Sequence, residues 1–196
     1  MQNQNKRSRK AAEHVMMSTI SFIQANLQHS IAASRVLSRT LAVKGIDMAL
    51  IQEPWFLEDH TMGLNIPGYT LFCMSGIDRP RACILLKNMN IWMLPGFSCR
   101  YLVVFPINYN DGEAERHLVV CSAYLPYDSE HPPLLRESEE LMHYCEEVNL
   151  YLVIGCDSNT HHIVWGSTNC GDRGVALLEF LNSLNLEIPP TIVLEG

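Results

Sequence analysis

Short apolar runs alternate along the chain with polar, turn-forming stretches, and several of the runs end on a polar residue. Residues 20–27, 47–52, 69–73, 82–86, 91–94, 101–105, 117–123 and 151–157 are brief and rich in β-branched and aromatic side chains. That pattern predicts strands. Other stretches carry a helical period. Ser30 can cap a helix with Ile31, Val36, Leu37 and Leu41 on its apolar face, and Gly45 can end it. Pro132 or Pro133 can open a helix reaching about Val148, with Leu134, Leu135, Leu141, Met142 and Cys145 on one face. A third helix is expected over 174–184, with Val175, Leu178, Leu181 and Leu184 as its stripe. Residues 54–67, with Trp55 and Phe56, read as a loop, and Asn110-Asp111-Gly112 reads as a turn between two strands. An antiparallel middle flanked by strand–helix units predicts an α/β sandwich of mixed sheets rather than a purely doubly wound fold.

The polar residues at the strand ends are the candidate chemistry. Groups just past the carboxyl end of a core strand face the ligand crevice of an open α/β sheet. Asn26 ends the first strand, and Glu53 follows the second, where Pro54 stops it. Asp157 and Asn159 follow Gly155 at the end of the last strand. Such oxygen donors suit a hard divalent cation, which takes a few carboxylates and keeps several waters. Asp157 could orient or deprotonate an attacking water, and Asn159 could hydrogen-bond a scissile phosphate. Tyr124, closing the strand at 117–123, can donate to a phosphate oxygen. Each residue also has a plainer role: a surface glutamate, an Asx-turn before a helix, a half-buried tyrosine at a sheet edge.

Composition narrows the class. The 196 residues suit one domain, and 47% apolar against 18% charged residues implies a sizeable core. No apolar stretch is long enough to cross a bilayer. Residues 1–10 are polar and basic without an apolar segment, unlike a secretory signal. Seven cysteines, an odd number lying mostly in apolar runs, read as free thiols of a reducing compartment. Together these predict a nuclear or cytoplasmic protein that is not secreted. Lys plus Arg number 14 against 21 Asp plus Glu, and four of the cations (Lys6, Arg7, Arg9 and Lys10) stand in the first ten residues. The remainder is clearly acidic, which argues against a purely electrostatic nucleic-acid binder. A metal-dependent phosphodiesterase tolerates that balance, because its carboxylates hold the cation that meets the phosphate. His161 and His162, near Cys156 and Cys170, match no closed zinc spacing. One of the two histidines could touch phosphate or pack beside Trp165. Arg79 and Arg81 precede a strand, where a cation can meet a phosphate backbone or remain a solvated loop charge.

The joint order of these residues is more specific than any one of them. Asn26, then Gln52-Glu53, then a strand ending in Tyr124, then Gly155-Cys156-Asp157-Ser158-Asn159 resembles the endonuclease/exonuclease/phosphatase superfamily. The finer texture is similar to the apurinic-endonuclease-like domain of insect non-LTR retrotransposons. It comprises Phe22-Ile23-Gln24-Ala25-Asn26-Leu27, Ile51-Gln52-Glu53-Pro54-Trp55, Arg81-Ala82-Cys83-Ile84 and Ala123-Tyr124-Leu125-Pro126-Tyr127. It continues through the segment 155–167, with its His161-His162 and Trp165-Gly166, to Arg173-Gly174 and Leu177-Leu178-Glu179-Phe180-Leu181.

The resemblance implies a four-layer α/β sandwich with two mixed β-sheets. It implies a Mg²⁺ (or Mn²⁺) dependent DNA endonuclease that nicks one strand and leaves a 3′-hydroxyl to prime reverse transcription. Glu53 would be the metal ligand and Asn26 would support the metal site. Tyr124 and Asn159 would contact phosphate, and Asp157 would take the nucleophile's proton. His161 or His162 would stand at the rim, and Arg81 and His162 would meet DNA. No membrane and no small-molecule cofactor beyond the metal is implied. The expected division is a basic disordered tail over 1–18, the domain over 19–188 and a divergent tail over 189–196. Members of the family end in a strand bearing an Asp and a Ser-Asp-His motif, and no Ser-Asp-His occurs here. A domain incomplete at its C-terminus, lacking its final strands and weak or inactive, is therefore expected. Two alternatives stay open: a non-catalytic remnant that binds nucleic acid or protein, and another phosphatase or exonuclease of the superfamily.

Overall fold

The computed structural model describes residues 20–58, 60–89, 91–110, 113–128, 134–184 and 186–188. The basic tail, the turn at Asp111-Gly112, the prolines at 132 and 133 and the divergent tail lie outside the described residues. Among the described residues no helix is long and apolar enough to cross a membrane.

Two mixed sheets stack face to face. The first is built from β1 (Phe22–Asn26), β2 (Met48–Gln52), β5 (Tyr69–Phe72) and β6 (Ala82–Lys87), in the order β1-β2-β6-β5. β1 and β2 run parallel through the connecting helix α1 (Ile31–Lys44), and the other two pairings are antiparallel. The second sheet is β7 (Leu102–Asn110), β8 (Glu115–Tyr124) and β9 (Tyr151–Asp157). β7 and β8 are antiparallel, while β8 and β9 are parallel and joined through α2 (Arg136–Glu147). A short hairpin, β3 (Phe56–Leu57) with β4 (His60–Thr61), stands inside the stretch read from sequence as plain loop.

Apolar side chains close three interfaces. Met48, Leu50, Ile84, Leu86, Val103, Phe105 and Val120 fill the space between the sheets. Leu37 and Leu41 of α1 pack on the outer face of the first sheet, against Ala49, Ile51, Cys83 and Leu85. Leu141 and Cys145 of α2, with Leu177 of α3 (Asp172–Ser183), cover the outer face of the second. The order helix, sheet, sheet, helix is the four-layer sandwich expected.

Local chemistry explains most boundaries. Ser30 Oγ accepts from the Ala33 N–H at the start of α1, and Gly45 ends the helix at φ +66°, a left-handed value that glycine adopts without penalty. Three further details differ from the sequence expectation. Val36 is exposed, and Ser34 takes its place in the buried seam because the helix passes close to Gly63. Residues 91–94 form no strand. Ile91 and Met93 do turn inward and Trp92 outward, but only the Leu94 N–H reaches Val104, and Pro95 has no N–H to extend a ladder. In α3 the buried residues are Gly174 and Leu177, while Val175 faces solvent.

Candidate active site

β1, β2, β8 and β9 end together at one rim of the sandwich. Register accounts for this: Asn26 sits opposite Gln52 in one sheet, and Tyr124 opposite Asp157 in the other. The sheets are fastened just below the rim by a buried polar strut. Gln52, fully buried, donates from Nε2 to Ser122 Oγ (2.9 Å) and to the Gly155 carbonyl (2.9 Å). Its Oε1 accepts from Gln24 Nε2 (2.6 Å), and Ser122 Oγ donates to the Ile51 carbonyl (2.8 Å). Gly155 permits this closeness, since a Cβ there would lie 2.7 Å from Leu50 Cβ.

Above the strut the candidate residues form two linked groups. In the first, Asn26 Nδ2 donates to the Asp157 carboxylate, joining positions 131 residues apart. Asn26 Oδ1 accepts from the Gln28 N–H (2.8 Å), so the carboxamide is fixed at both ends. The other carboxylate oxygen of Asp157 accepts from the Asn159 N–H (3.2 Å) in an Asx-turn. Asn159 Nδ2 donates to the Leu125 carbonyl (3.0 Å), which aims the amide across the rim. In the second group, Arg81 Nη2 donates to Glu53 Oε1 and the guanidinium lies 4.2 Å from the centroid of the Tyr124 ring. Tyr124 joins the groups, because its phenol lies in the fields of Arg81, Glu53, Asn159 and Asp157. Burial, the largest influence, pushes that phenol above its usual value of 10, so the hydroxyl stays a proton donor at neutral pH.

Asn26, Glu53, Tyr124, Asp157, Asn159 and Arg81 are thus brought together. His161 and His162 are used differently. His162 Nδ1 accepts from the Val164 N–H, capping the 3-10 turn Ile163–Trp165, and its ring packs 5.0 Å from that of Trp165. The carbonyl of His161 accepts from the Gly171 N–H, while its side chain is exposed. Among the described residues neither ring hydrogen-bonds to the Asp157 cluster.

Sequence reading missed three residues beside this rim. His29 places Nε2 3.6 Å from Glu53 Oε1, with Nδ1 3.2 Å from the Pro54 carbonyl. Arg100 lies 5.5 Å from the Tyr101 ring centroid, and that ring stacks on Tyr124 at 6.2 Å. Trp55 lines a cleft of about 520 Å³ together with His29, Arg79, Arg81 and Arg100. The adjacency of Trp55 to Glu53 was the one available signal. Nothing in the sequence ties Arg100 to Arg81, since only the fold lays their backbones together, with the Arg81 N–H bonded to the Arg100 carbonyl (2.8 Å).

Among solved structures, the chain is similar to the endonuclease domain of TRAS1, a telomere-specific non-LTR retrotransposon. The identity is 24% and the TM-score 0.67, over 88% of this chain and 74% of that one. It is similar to the AP endonuclease LMAP from Leishmania major at 11% identity and TM-score 0.55, over 85% and 67% of the two chains. A family protein from Leptotrichia buccalis aligns at 14% identity and TM-score 0.51, over 85% and 73%. The chain shares its fold with these three structures, the last of them described as an endonuclease/exonuclease/phosphatase family protein. The family described as Endonuclease-reverse transcriptase matches residues 118–192, a span that takes in most of β8, all of β9, the Asp157–Asn159 turn and α3. No curated protein sequence matches the chain. Within the fold, the match falls on the half that supplies Tyr124, Asp157 and Asn159, while Asn26, Glu53 and Arg81 come from the sheet that faces it.

Proposed function

We propose that this rim is the active site of a divalent-metal-dependent DNA endonuclease of the retrotransposon type, hydrolysing a phosphodiester to nick one strand. The observation that carries the reading is the contact of Asn26 with Asp157 at the junction of the two sheets, with Glu53, Arg81 and Tyr124 alongside. The donor set suits Mg²⁺ or Mn²⁺: one carboxylate from Glu53 and one carboxamide oxygen from Asn26, both hard, with water completing the shell. Among the described residues no three of His, Cys, Asp and Glu gather as a metal cluster, so Glu53 and Asn26 would hold the cation with water as the remaining ligands. When bound, the cation supplies charge neutralisation at the phosphate.

The residues present divide the remaining work. Asp157, oriented through Asn26 and the Asn159 N–H, takes the proton of the attacking water. Asn159 Nδ2 and the Tyr124 hydroxyl donate to the non-bridging phosphate oxygens, where charge accumulates in the transition state. Arg81, held by Glu53 and Tyr124, adds positive charge to the same face. DNA is the partner, and a 3′-hydroxyl is the product end that reverse transcription would extend. His161 and His162 belong to the rim of the DNA contact. The chain contains no Ser-Asp-His, so slow turnover is expected from these 196 residues alone.

Plasmid nicking with Mg²⁺ tests the reading. Wild type should convert supercoiled plasmid to open circles, slowly, and lose the activity in EDTA. Glu53→Ala and Asp157→Ala should each reduce the rate by about a hundredfold or more, the scale of losing a proton-transfer or charge-stabilising group. Nicking that survives both substitutions removes the site. Absence of nicking by wild type favours a role in binding only.

A further inference from the structure

Apart from Arg81, which it shares with the rim, the cleft beside the rim is not used by the chemistry above. Its walls combine Trp55 (38% exposed), Phe56 and Leu57 with three arginines, Arg79, Arg81 and Arg100. In a chain of formal net charge −7 that concentration of cations is out of pattern. The acidic residue on the wall is Glu58, and Glu53, just outside it, is already held by Arg81. The guanidinium groups of Arg81 and Arg100 each keep a buried Nε with no hydrogen-bond partner. Arg79 is the opposite case, with its side chain 71% exposed at the cleft mouth.

An indole, apolar neighbours and several guanidinium groups in one concavity match one ligand chemistry: a planar base attached to a phosphate. At about 520 Å³ the cleft has the size of a small-ligand site and is too small for a duplex. A base can stack on an aromatic ring there only after leaving its own stack. We propose that this cleft receives one unstacked nucleotide of the DNA strand flanking the scissile bond, with its base against Trp55 and its phosphate between Arg100 and Arg79. The inference rests on the DNA-nicking reading for its strand, and it adds a preference for single-stranded or locally melted DNA.

Binding without turnover tests it. Fluorescein-labelled oligothymidylate of twelve residues is titrated with the full chain in EDTA, followed by anisotropy. A matched twelve-residue abasic oligomer carries the phosphates without the bases. Wild type should prefer the thymidylate by about tenfold, the scale of one base on one aromatic ring. Trp55→Ala should erase that preference, and Trp55→Phe should restore part of it. Arg79→Gln and Arg100→Gln should each lower the slope of log Kd against log salt by about 0.7, the loss of one phosphate contact on a single strand. A merely structural arginine would leave that slope unchanged. Arg136→Gln, on exposed α2, should change nothing. Arg79 is exposed enough that its replacement should fold even where Arg100→Gln does not, and thermal melts identify any variant that has unfolded. Equal affinity for thymidylate and abasic oligomers overturns the proposal, as does a salt slope unmoved by Arg79→Gln. Plasmid nicking run in parallel separates the two readings. Wild type that nicks while Trp55→Ala binds normally sinks the cleft alone. Wild type that fails to nick yet prefers thymidylate, with the preference lost in Trp55→Ala, keeps the cleft and sinks the catalysis.

Discussion

Gln52→Leu should be among the most damaging near-isosteric substitutions in the molecule, although its side chain touches no substrate in the reading above. The leucine fills much the same volume, so the effect isolates the hydrogen bonds. Lost are the donations from Nε2 to Ser122 Oγ and to the Gly155 carbonyl, and the bond that Oε1 accepts from Gln24. Gln24 is exposed and can be rehydrated. Ser122 keeps its bond to the Ile51 carbonyl, but the Gly155 carbonyl loses a buried donor. A buried polar group left unsatisfied costs roughly 1–3 kcal/mol, so the total is about 3 kcal/mol. With an m-value of about 2–3 kcal/mol per molar urea, the unfolding midpoint should fall by roughly 1–1.5 M. Gln52 links β2 to β8 and β9, so the coupling should also appear in a double-mutant cycle with Ser122→Ala, at about 1 kcal/mol or more. A midpoint within about 0.3 M of wild type, with no coupling, would refute the claim that this strut holds the sheets in register. Function should follow stability here, because the strut lies one residue below Glu53 and two below Asp157.

Gly174→Ala should destabilise by about 1–3 kcal/mol, although alanine normally strengthens a helix, because its Cβ would drive into the His161 carbonyl; Gly155→Ala should do the same against Leu50. Thermal melts of both variants check the sign, and a Gly174→Ala protein as stable as wild type would contradict the packing. Thiol titration at pH 8 should label Cys73 and Cys170 first. Cys73, half-buried, is lowered to about 7 by the hydrogen bond from Cys83, and Cys170 is exposed. Cys145, raised to about 11 by burial, and Cys156, raised to about 12 by burial and Asp157, should remain thiols and resist until the fold opens, which mass mapping of the labelled peptides would show. Gln28 is exposed and left-handed (φ +47°), so Gln28→Val should cost about 1–2 kcal/mol in urea unfolding and free the Asn26 carboxamide, whereas Gln28→Gly should not; equal stability of the two would show that the backbone there is not constrained.

How much of this was readable from the chain differs by the range of the interaction. The strand ends were legible, because Asn26, Glu53, Tyr124 and Asp157 each break an apolar run, and a broken run is a local signal. The mixed sheets followed from the same runs, since strands separated by helical periods pair in parallel through the helix, whereas the four layers were what the family resemblance implied. Residues 91–94 show where that logic stops. Their inward and outward alternation is present in the structure, but a ladder also needs backbone donors and a partner in register, and Pro95 denies one of them. Pro106 shows the converse. It lies inside β7 without breaking it, because β7 is an edge strand and a missing donor can face outward there. Arg79, Arg81 and Arg100 could not be joined from sequence, since their meeting depends on a pairing between segments with no periodic signature. The local bonding of the two adjacent histidines was out of reach for a related reason. Their spacing says nothing about which ring nitrogen a nearby backbone N–H will occupy, and the Val164 N–H occupies that of His162.

The backbone itself marks the same face of the molecule. Among the described residues, eight that are not glycine adopt positive φ, and six of them (Gln28, His29, Glu53, Glu58, Arg79 and Asn159) lie at the rim or on the cleft wall. Of those six, Asn159 is the type that tolerates the left-handed region best, with His29 next. Each of the others carries a penalty on the order of 1 kcal/mol or more, and such conformations persist only where the surroundings over-determine them. Glu53 shows how that is done. Its N–H donates to the Arg81 carbonyl, its own carbonyl accepts from the His29 N–H, and its carboxylate is gripped by Arg81. A chain relaxed at Glu53 would give up the contacts that hold its carboxylate against Arg81 and His29. The strain therefore sits where the sheets deliver their polar ends, and it belongs to the same arrangement that gathers the oxygens at the rim and the arginines in the cleft beside it.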